Sequence, residues 1–491
     1  MSSGTDTELA TRWQYDGVFA DGGYVRAESQ HVAEIVAPRN EEVIGRVPLA
    51  SRADVDRVVA SARRAFDTGP WPLTAPAERA AVLRRWADLL QEHENDFALL
   101  AVEETGTPTA FNARGATSYP AFHLRNFADA CEGYAFEQER TSPFSRAVVI
   151  QEGVGVVAAI PSFNSPVGLG VQKIGGALAA GCTVVLKAPV QDPLGCHLLV
   201  ELGAAAGLPP GALNLVVAEP AESEYLVTRP GVDLVSFTGS TGVGKHIAAL
   251  CAADVRRCVL ELGGKSAAII LEDADLDAAV ATVVRASVAF HMGEACTAMS
   301  RVLVPRSRHD EIADALAGAI AALPVGDPTD PQVLIGPLIT AEHRARVERY
   351  IEIGREEGAT VRVGGGRPAG LSRGWYVEPT LFTGVDNSMR IAREEIFGPA
   401  TAVIAHDGLE HALQLANDTP FGLSGTVFTA DPEVGLEVAR KVRAGTFSVN
   451  DYIVDQTLPF GGYRQSGLGR ENGERGMTEF LETKSVTIGR P

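Results

Sequence analysis

The sequence predicts an α/β protein of at least two lobes, each built on a mostly parallel sheet of the doubly wound kind. Three observations carry this expectation. Short β-branched runs alternate with helix-compatible stretches through most of the chain. The pattern begins afresh near residue 265, which places a lobe boundary there. At 491 residues the chain is well past the size at which a single core stops growing. Two such lobes meet in a cleft, the usual place for a ligand.

In chain order, residues 76–104 read as helix. Leu83, Trp86, Leu90, His93 and Phe97 share one stripe, while Arg84, Arg85, Asp88 and Glu92 face away from it. "RAVVIQEGVGVVAAI" (146–160) is β-branched and punctuated by Gly153 and Gly155, so it reads as two extended segments. Strands follow at 183–187, 213–217, 233–239 and 267–271, with helical stretches between them near 192–206, 221–228 and 243–252. The second half continues with helices near 275–290, 308–322, 341–357, 408–416 and 433–443. Its strands lie near 301–304, 401–405, 425–428 and 446–450.

Composition narrows the function. With 43 Lys+Arg against 62 Asp+Glu, the net charge is −19. Such a surface repels polyanions, which argues against nucleic acid or an anionic membrane as partner. "MSSGTDTELATRWQYDG" lacks the basic start and apolar core of a signal peptide, and no stretch approaches the ~18–20 apolar residues of a membrane helix. The six cysteines (131, 182, 196, 251, 258, 296) form no CxxC pair or disulfide framework. They read as reduced thiols of a cytoplasmic protein.

Four stretches hold candidate chemistry. "LVSFTGSTGVGKHI" (234–247) runs a strand through Gly239, Ser240, Thr241, Gly242 and Gly244 into a helix. Amides at a helix N-terminus favour anions, so this is either a phosphate site or a plain strand–helix turn. It is neither GxGxxG nor a Walker A loop. "LELGGKSAAIIL" (260–271) sets Glu261 in an apolar run, where desolvation would raise its pKa towards that of a general base. The alternative is a strand-end Glu facing water. "AAIPSFNSPVGLG" (158–170) puts Asn164 after a buried strand, as an uncharged oxyanion donor or a turn residue. "GEACTAMSR" (293–301) carries Cys296, a nucleophile or a small buried residue. No His/Cys cluster with metal-ligand spacing is present, and no metal is expected.

Taken together, these blocks make the sequence resemble the aldehyde dehydrogenase superfamily from about residue 30 to the C-terminus. "LELGGKSA" and "GEACTAMS" have the family's form, with Glu294 where the family takes Gln or Glu. "EEIFGP" (394–399), "GTFSVN" (445–450) and "PFGGYRQSGLGRE" (459–471) follow in family order. The resemblance implies a Rossmann-like dinucleotide-binding domain (1–130 and 153–264) and a second α/β catalytic domain (265–465). It also implies a small β oligomerisation arm (131–152 and 466–491), and hence a homodimer or homotetramer. It makes Cys296 the nucleophile, Glu261 the base and Asn164 the oxyanion donor. Lys187 would contact the adenosine ribose, and Ser240, with Gly239 and Gly244, a cofactor phosphate. Glu395 would bind the nicotinamide ribose with Phe397 packed beside it, and Phe163 would join the cofactor set. Phe460 would line the substrate tunnel, with Tyr452, Ile453 and Asp455 from the preceding loop.

These residues suit oxidation of an aldehyde to the acid with NAD or NADP. Thiolate attack makes the carbonyl carbon tetrahedral so that hydride can leave, and the resulting thioester needs an activated water. An unperturbed thiol of pKa ~8.5 is only about 3% thiolate at pH 7, so the site must assist it. Glu294 would oppose that if it pointed inward, and is expected to point elsewhere. Many family members carry a Glu three residues after the Lys, to hold the ribose hydroxyls. This chain has Val190 there, which would not repel a 2′-phosphate, so tolerance of NADP is expected. Ser165, Gly168 and Gln172 suggest a roomy or polar tunnel, and no Arg or Lys there is an obvious carboxylate clamp, although Arg464 lies nearby. A neutral, fairly large aldehyde follows. The rival readings are a cofactor-independent thiol esterase and an inactive structural or binding protein on the same fold.

Overall fold

A computed structural model of the protein describes residues 13–141 and 143–489, with backbone alone at 111–117. Two large sheets organise it. The first has eight strands in the order Gly467–Leu468, Arg257–Glu261, Leu234–Thr238, Val156–Ile160, Thr183–Ala188, Leu213–Val217, Gly17–Ala20 and Gly23–Arg26. Its five central strands are parallel, and the outer ones add antiparallel. Numbered along the chain, the parallel strands stand in the order 3-2-1-4-5, the Rossmann arrangement. These strands are buried on both faces, which is why they read as unbroken apolar runs rather than alternating ones.

The second sheet has seven strands, in the order Thr360–Val363, Thr380–Thr383, Ala400–His406, Arg301–Pro305, Ala267–Ile270, Gly425–Phe428 and Ser448–Val449. Only Thr360–Val363 is antiparallel to its neighbour. Each sheet has an apolar layer on either face, one pair around Val157 and Val185 and the other around Ile269 and Ile270. A separate three-stranded antiparallel sheet joins Leu481–Ile488, Arg146–Gly153 and Glu137–Thr141. The segment 466–491 is thus divided: Gly467–Leu468 pairs with the first sheet, and Leu481–Ile488 with the small one.

The helix expected over 76–104 is two helices, Pro76–Glu92 and Glu94–Thr105, which break at His93. The break keeps Leu83, Trp86, Leu90 and Phe97 buried and leaves His93 beside Asp96, at 3.1 Å. The helix expected over 275–290 ends at Val284. A π turn (Arg285–Ala289) and a tight turn (Phe290–Gly293) follow, with His291 and Met292 at φ 48° and 52°. Non-glycine residues seldom hold that conformation, so the sequence pattern reads on as helix where the chain turns away. What the turn delivers is the segment carrying Cys296.

The two sheets are joined by residues 262–266. They leave the C-terminal end of Arg257–Glu261 and enter the N-terminal end of Ala267–Ile270. The C-terminal edge of one sheet therefore faces the N-terminal edge of the other across the cleft.

Candidate active site

A ligand on a doubly wound sheet sits beyond the C-terminal ends of the strands, where the order reverses. Here that point lies between Val156–Ile160 and Leu234–Thr238. The first strand leads into the loop holding Phe163 and Asn164, the second into Gly239 and Ser240. Ser240 caps the helix Thr241–Ala253, its hydroxyl accepting from the Val243 N–H at 3.4 Å. Accepting leaves its own O–H free to donate. A Cβ at Gly244 would stand 2.3 Å from Leu262, so only glycine lets this helix lie so close to the linker. Nothing lies within 4 Å of a Cβ at Gly242, and the first turn is open to solvent. Open amides at the N-terminus of a 13-residue helix fit a diphosphate.

Lys187 stands near the C-terminal end of Thr183–Ala188 on the same edge. Burial lowers its pKa to about 8, against an upward pull from Asp192. Val190, three residues on, packs at the margin of the first core.

Across the cleft, a cavity of about 660 Å³ is lined by Asn164, Cys296, Tyr452, Ile453 and Phe460 together. Ser165, Gly168 and Gln172 line it as expected, whereas Asp455 and Arg464 do not. Asp455 holds Thr457, and Arg464 is tied to the carbonyls of Asn417 and Thr419.

Cys296 is partly exposed to this cavity. Burial pushes its thiol pKa up, and the charges of Glu261 and Glu395 push it further. The backbone N–H groups of Cys296 and Thr297 pull the other way. Glu294 points away, taking the Ile339 N–H at 3.3 Å and standing 3.3 Å from His343.

Glu261 ends its strand with 2% of its surface exposed, and neither carboxylate oxygen has a hydrogen-bond partner. Burial raises its pKa well above the carboxylate range, and Glu471 raises it further, while Lys173 and Arg470 oppose. Lys173 and Glu471 pair at 2.5 Å, both buried. Glu261 does not line the cavity itself; it stands behind, against Gly461, where a Cβ would come 2.5 Å from its carboxylate. Sequence reasoning missed the Lys173–Glu471 pair. The usable signal was a lysine in the apolar helix "PVGLGVQKIGGALA".

Glu395 accepts the Gly264 N–H at 2.9 Å, and burial raises its pKa to about 7. Phe397, at φ 62°, meets Phe163 edge-on with centroids 5.6 Å apart, and His343 completes the aromatic cluster. Two residues expected to hold cofactor, drawn from distant loops, thus touch. Also missed were Thr297, whose hydroxyl bonds that of Tyr452 at 2.5 Å, and His123 and Gln456 in the cavity wall.

Comparison with known proteins identifies the family and the fold. The model of the Aldehyde dehydrogenase family matches residues 24–486. The geranial dehydrogenase of Castellaniella defragrans is 42% identical over 472 residues, covering 96% of this chain and 98% of the relative. A Mycobacterium tuberculosis aldehyde dehydrogenase complexed with NAD+ superposes with a TM-score of 0.95 at 44% identity, over 97% of this chain and 98% of that one. Aldehyde dehydrogenase C of Pseudomonas syringae, a cysteine-to-alanine mutant complexed with NAD+ and octanal, gives a TM-score of 0.93 at 38% identity, over 96% of each chain.

The backbone of Gly264 tests the site directly. An added Cβ would fall 2.3 Å from the Cys296 carbonyl oxygen, so Gly264→Ala must displace the Cys296 backbone. A misplacement near 1 Å costs about 10²-fold in rate. We expect kcat to fall by about that factor with the fold intact; a kcat within about threefold of wild type would contradict the placement.

Proposed function

Because this chain belongs to the aldehyde dehydrogenase family, we propose that its residues divide the oxidation of an aldehyde as follows. The reaction is aldehyde to carboxylic acid with a nicotinamide dinucleotide as oxidant. One observation carries the assignment of roles. Cys296 and Asn164 share a cavity, and the unpartnered carboxylate of Glu261 lies near enough to perturb the thiol.

The Cys296 thiol gives its proton to solvent, and the thiolate attacks the carbonyl carbon. The Asn164 amide and the Cys296 N–H hold the oxygen as it becomes negative, and each such donor is worth about 10²–10³ in rate. NAD, when bound, would supply the hydride acceptor, and loss of hydride from the tetrahedral carbon leaves a thioester on Cys296. Glu261 takes a proton from water, the hydroxide attacks the thioester, and acid and thiol separate. Ser240 and the helix behind it hold the diphosphate, Lys187 the adenosine ribose, and Glu395 the other ribose. Phe163 and Phe397 pack at that end, with Gly239 and Gly244 letting the backbone approach. Phe460, Tyr452 and Ile453 guide the substrate.

Residues 1–130 and 153–264 form the dinucleotide-binding unit in this reading, and 265–465 present the thiol. Residues 131–152 and 466–491 serve assembly. The small sheet supports a homodimer or homotetramer: Glu137–Thr141 and Leu481–Ile488 each have one neighbour, and Val486 and Ile488 are exposed. Six free cysteines support a reducing, cytoplasmic setting. Among the described residues, no helix is long and apolar enough to cross a membrane. The substrate is a neutral, fairly large aldehyde. The cavity supports this, as do the names geranial dehydrogenase and octanal among the relatives.

Glu261→Gln tests the hydrolytic half. One equivalent of reduced cofactor should appear per site, followed by a steady rate lower by about 10²–10⁴. The base acts deprotonated and burial raises its pKa, so the wild-type steady rate should climb with pH through that pKa. The variant should lose the climb, and a variant rate close to wild type excludes Glu261 as the base.

With Val190 beside the ribose site, NADP should also be used. A kcat/KM ratio favouring NAD by well over ~10² overturns this. Size-exclusion chromatography should return an oligomer, and an active monomer at low concentration would remove the role given to the arm.

A further inference from the structure

The wall of the substrate cavity carries a polar pair, buried at His123 and half-buried at Gln172, that the oxidation itself does not use. His123 lies on helix Thr109–Gly133 with 2% exposure, and Gln172 on helix Pro166–Ala179, just beyond the Asn164 loop. Both line the cavity that holds Cys296. The Gln172 amide nitrogen donates to His123 Nε2 at 3.3 Å. An imidazole that accepts at Nε2 carries its proton on Nδ1. Among the described residues that Nδ1 has no hydrogen-bond partner, and neither has Gln172 Oε1. The same Gln172 nitrogen also donates to Gln456 Oε1 at 3.5 Å, which sets the amide this way round, since a flip would oppose two oxygens. One donor, His123 Nδ1–H, and one acceptor, Gln172 Oε1, are thus left without partners among the described residues.

Gln456 engages the pair without completing it. Its Oε1 accepts from Asn472 at 3.2 Å and from the Gln172 amide nitrogen at 3.5 Å, and its side chain meets the His123 ring. Its amide donates to the Val454 carbonyl at 3.2 Å, which leaves His123 Nδ1 and Gln172 Oε1 unmet. Buried polar groups are normally paired, so the complement here comes from within the cavity. Its charge is also set. Burial lowers the His123 pKa to about 4, so the ring is neutral at pH 7. Arg285, in the same wall, is paired with Asp451 at 2.7 Å. Glu104, also in the wall, has its pKa raised by burial to about 8 and accepts the Leu194 and Gly195 amides. An anionic substrate finds no free cation among the described lining residues.

We propose that His123 and Gln172 form a specificity subsite for a neutral group that both donates and accepts hydrogen bonds, a hydroxyl or primary amide carried by the substrate away from its aldehyde carbon. This rests on the aldehyde-oxidising reading above. An alkyl chain satisfies neither group, and a carboxylate offers no donor. A site built around a hydroxyl discriminates strongly against an analogue lacking it, because its own polar groups are then left bare.

The test compares kcat/KM for ω-hydroxyaldehydes with alkyl aldehydes in which methyl replaces the hydroxyl, from about C4 to about C10, using NAD. At one or more chain lengths the hydroxyaldehyde should be preferred by about tenfold or more. That ratio should fall towards one in Gln172→Met, which is nearly the same size, and in His123→Phe. A role in packing alone would slow both series equally and leave the ratio unmoved. If His123→Phe does not fold, Gln172→Met decides. A wild-type ratio at or below one at every length overturns the proposal, as does an undiminished preference in Gln172→Met; ordered water then completes the pair. Failure of the aldehyde-oxidising reading looks different, since no aldehyde of either series would then reduce NAD.

Discussion

The backbone at Gly263 and Gly264 runs through a gap too narrow for any side chain, and the placing of the site depends on that passage. A Cβ at Gly263 would stand 2.3 Å from the Glu395 carboxylate, and one at Gly264 2.3 Å from the Cys296 carbonyl oxygen. Ser466 fastens the same stretch, accepting the Leu262 N–H through its carbonyl and donating its hydroxyl to the Gly263 carbonyl at 2.7 Å. Glu261, Cys296 and Glu395 are therefore all positioned by one short linker between two sheets. Each sheet is buried on both faces and so a rigid mount. A reaction that needs atoms placed within about 0.5 Å is better served by such mounts than by mobile loops.

Electrostatics at the site follow from burial. Cys296, Glu261 and Glu395 would be three acidic groups close together, and in a dry cleft their mutual repulsion would be severe. Each instead has its pKa raised, so the site approaches neutrality before reaction. A bound nicotinamide cation would favour the ionised forms of these groups. Glu294 could have added a fourth charge, but its bond to the Ile339 amide removes it from the sulfur.

How much of this could be read in the sequence depended on how local its cause was. Parallel strands were legible because burial on both faces makes them short apolar runs, as at Leu213–Val217. The positions of Cys296, Glu261 and Ser240 around one cleft were legible because each sits beside glycines in a short motif. Early elements such as Val32–Ala37 and Arg52–Asp67 were passed over, although the latter has a plain capping box at Ser51 and Asp54. The left-handed turn at His291 and Met292 had no local signal, because tertiary packing holds it against backbone preference. The wall of the cavity was least legible. His123, Gln172 and Gln456 come from three separate elements, and only Gln172 lay near a motif.

Leaving Glu261 bare is itself part of the design. Had protein N–H groups satisfied its carboxylate, its pKa would be held low and its basicity lost, because hydrogen bonds to the charged form stabilise that form. Asp54 shows the contrast: it accepts from the Ser51, Glu28 and Ser29 amides, and its pKa is lowered. Glu261 has desolvation without donors, which raises its proton affinity and leaves both oxygens free for water. The buried Lys173–Glu471 pair behind it limits the effect. Glu471 pushes the Glu261 pKa up and Lys173 pulls it down, so the two charges oppose each other at Glu261. A lone lysine in that place would hold Glu261 ionised and poorly basic, and a lone glutamate would keep it protonated. The pair leaves burial as the dominant influence, and burial raises the proton affinity of the Glu261 carboxylate, the property the proposed role as base requires.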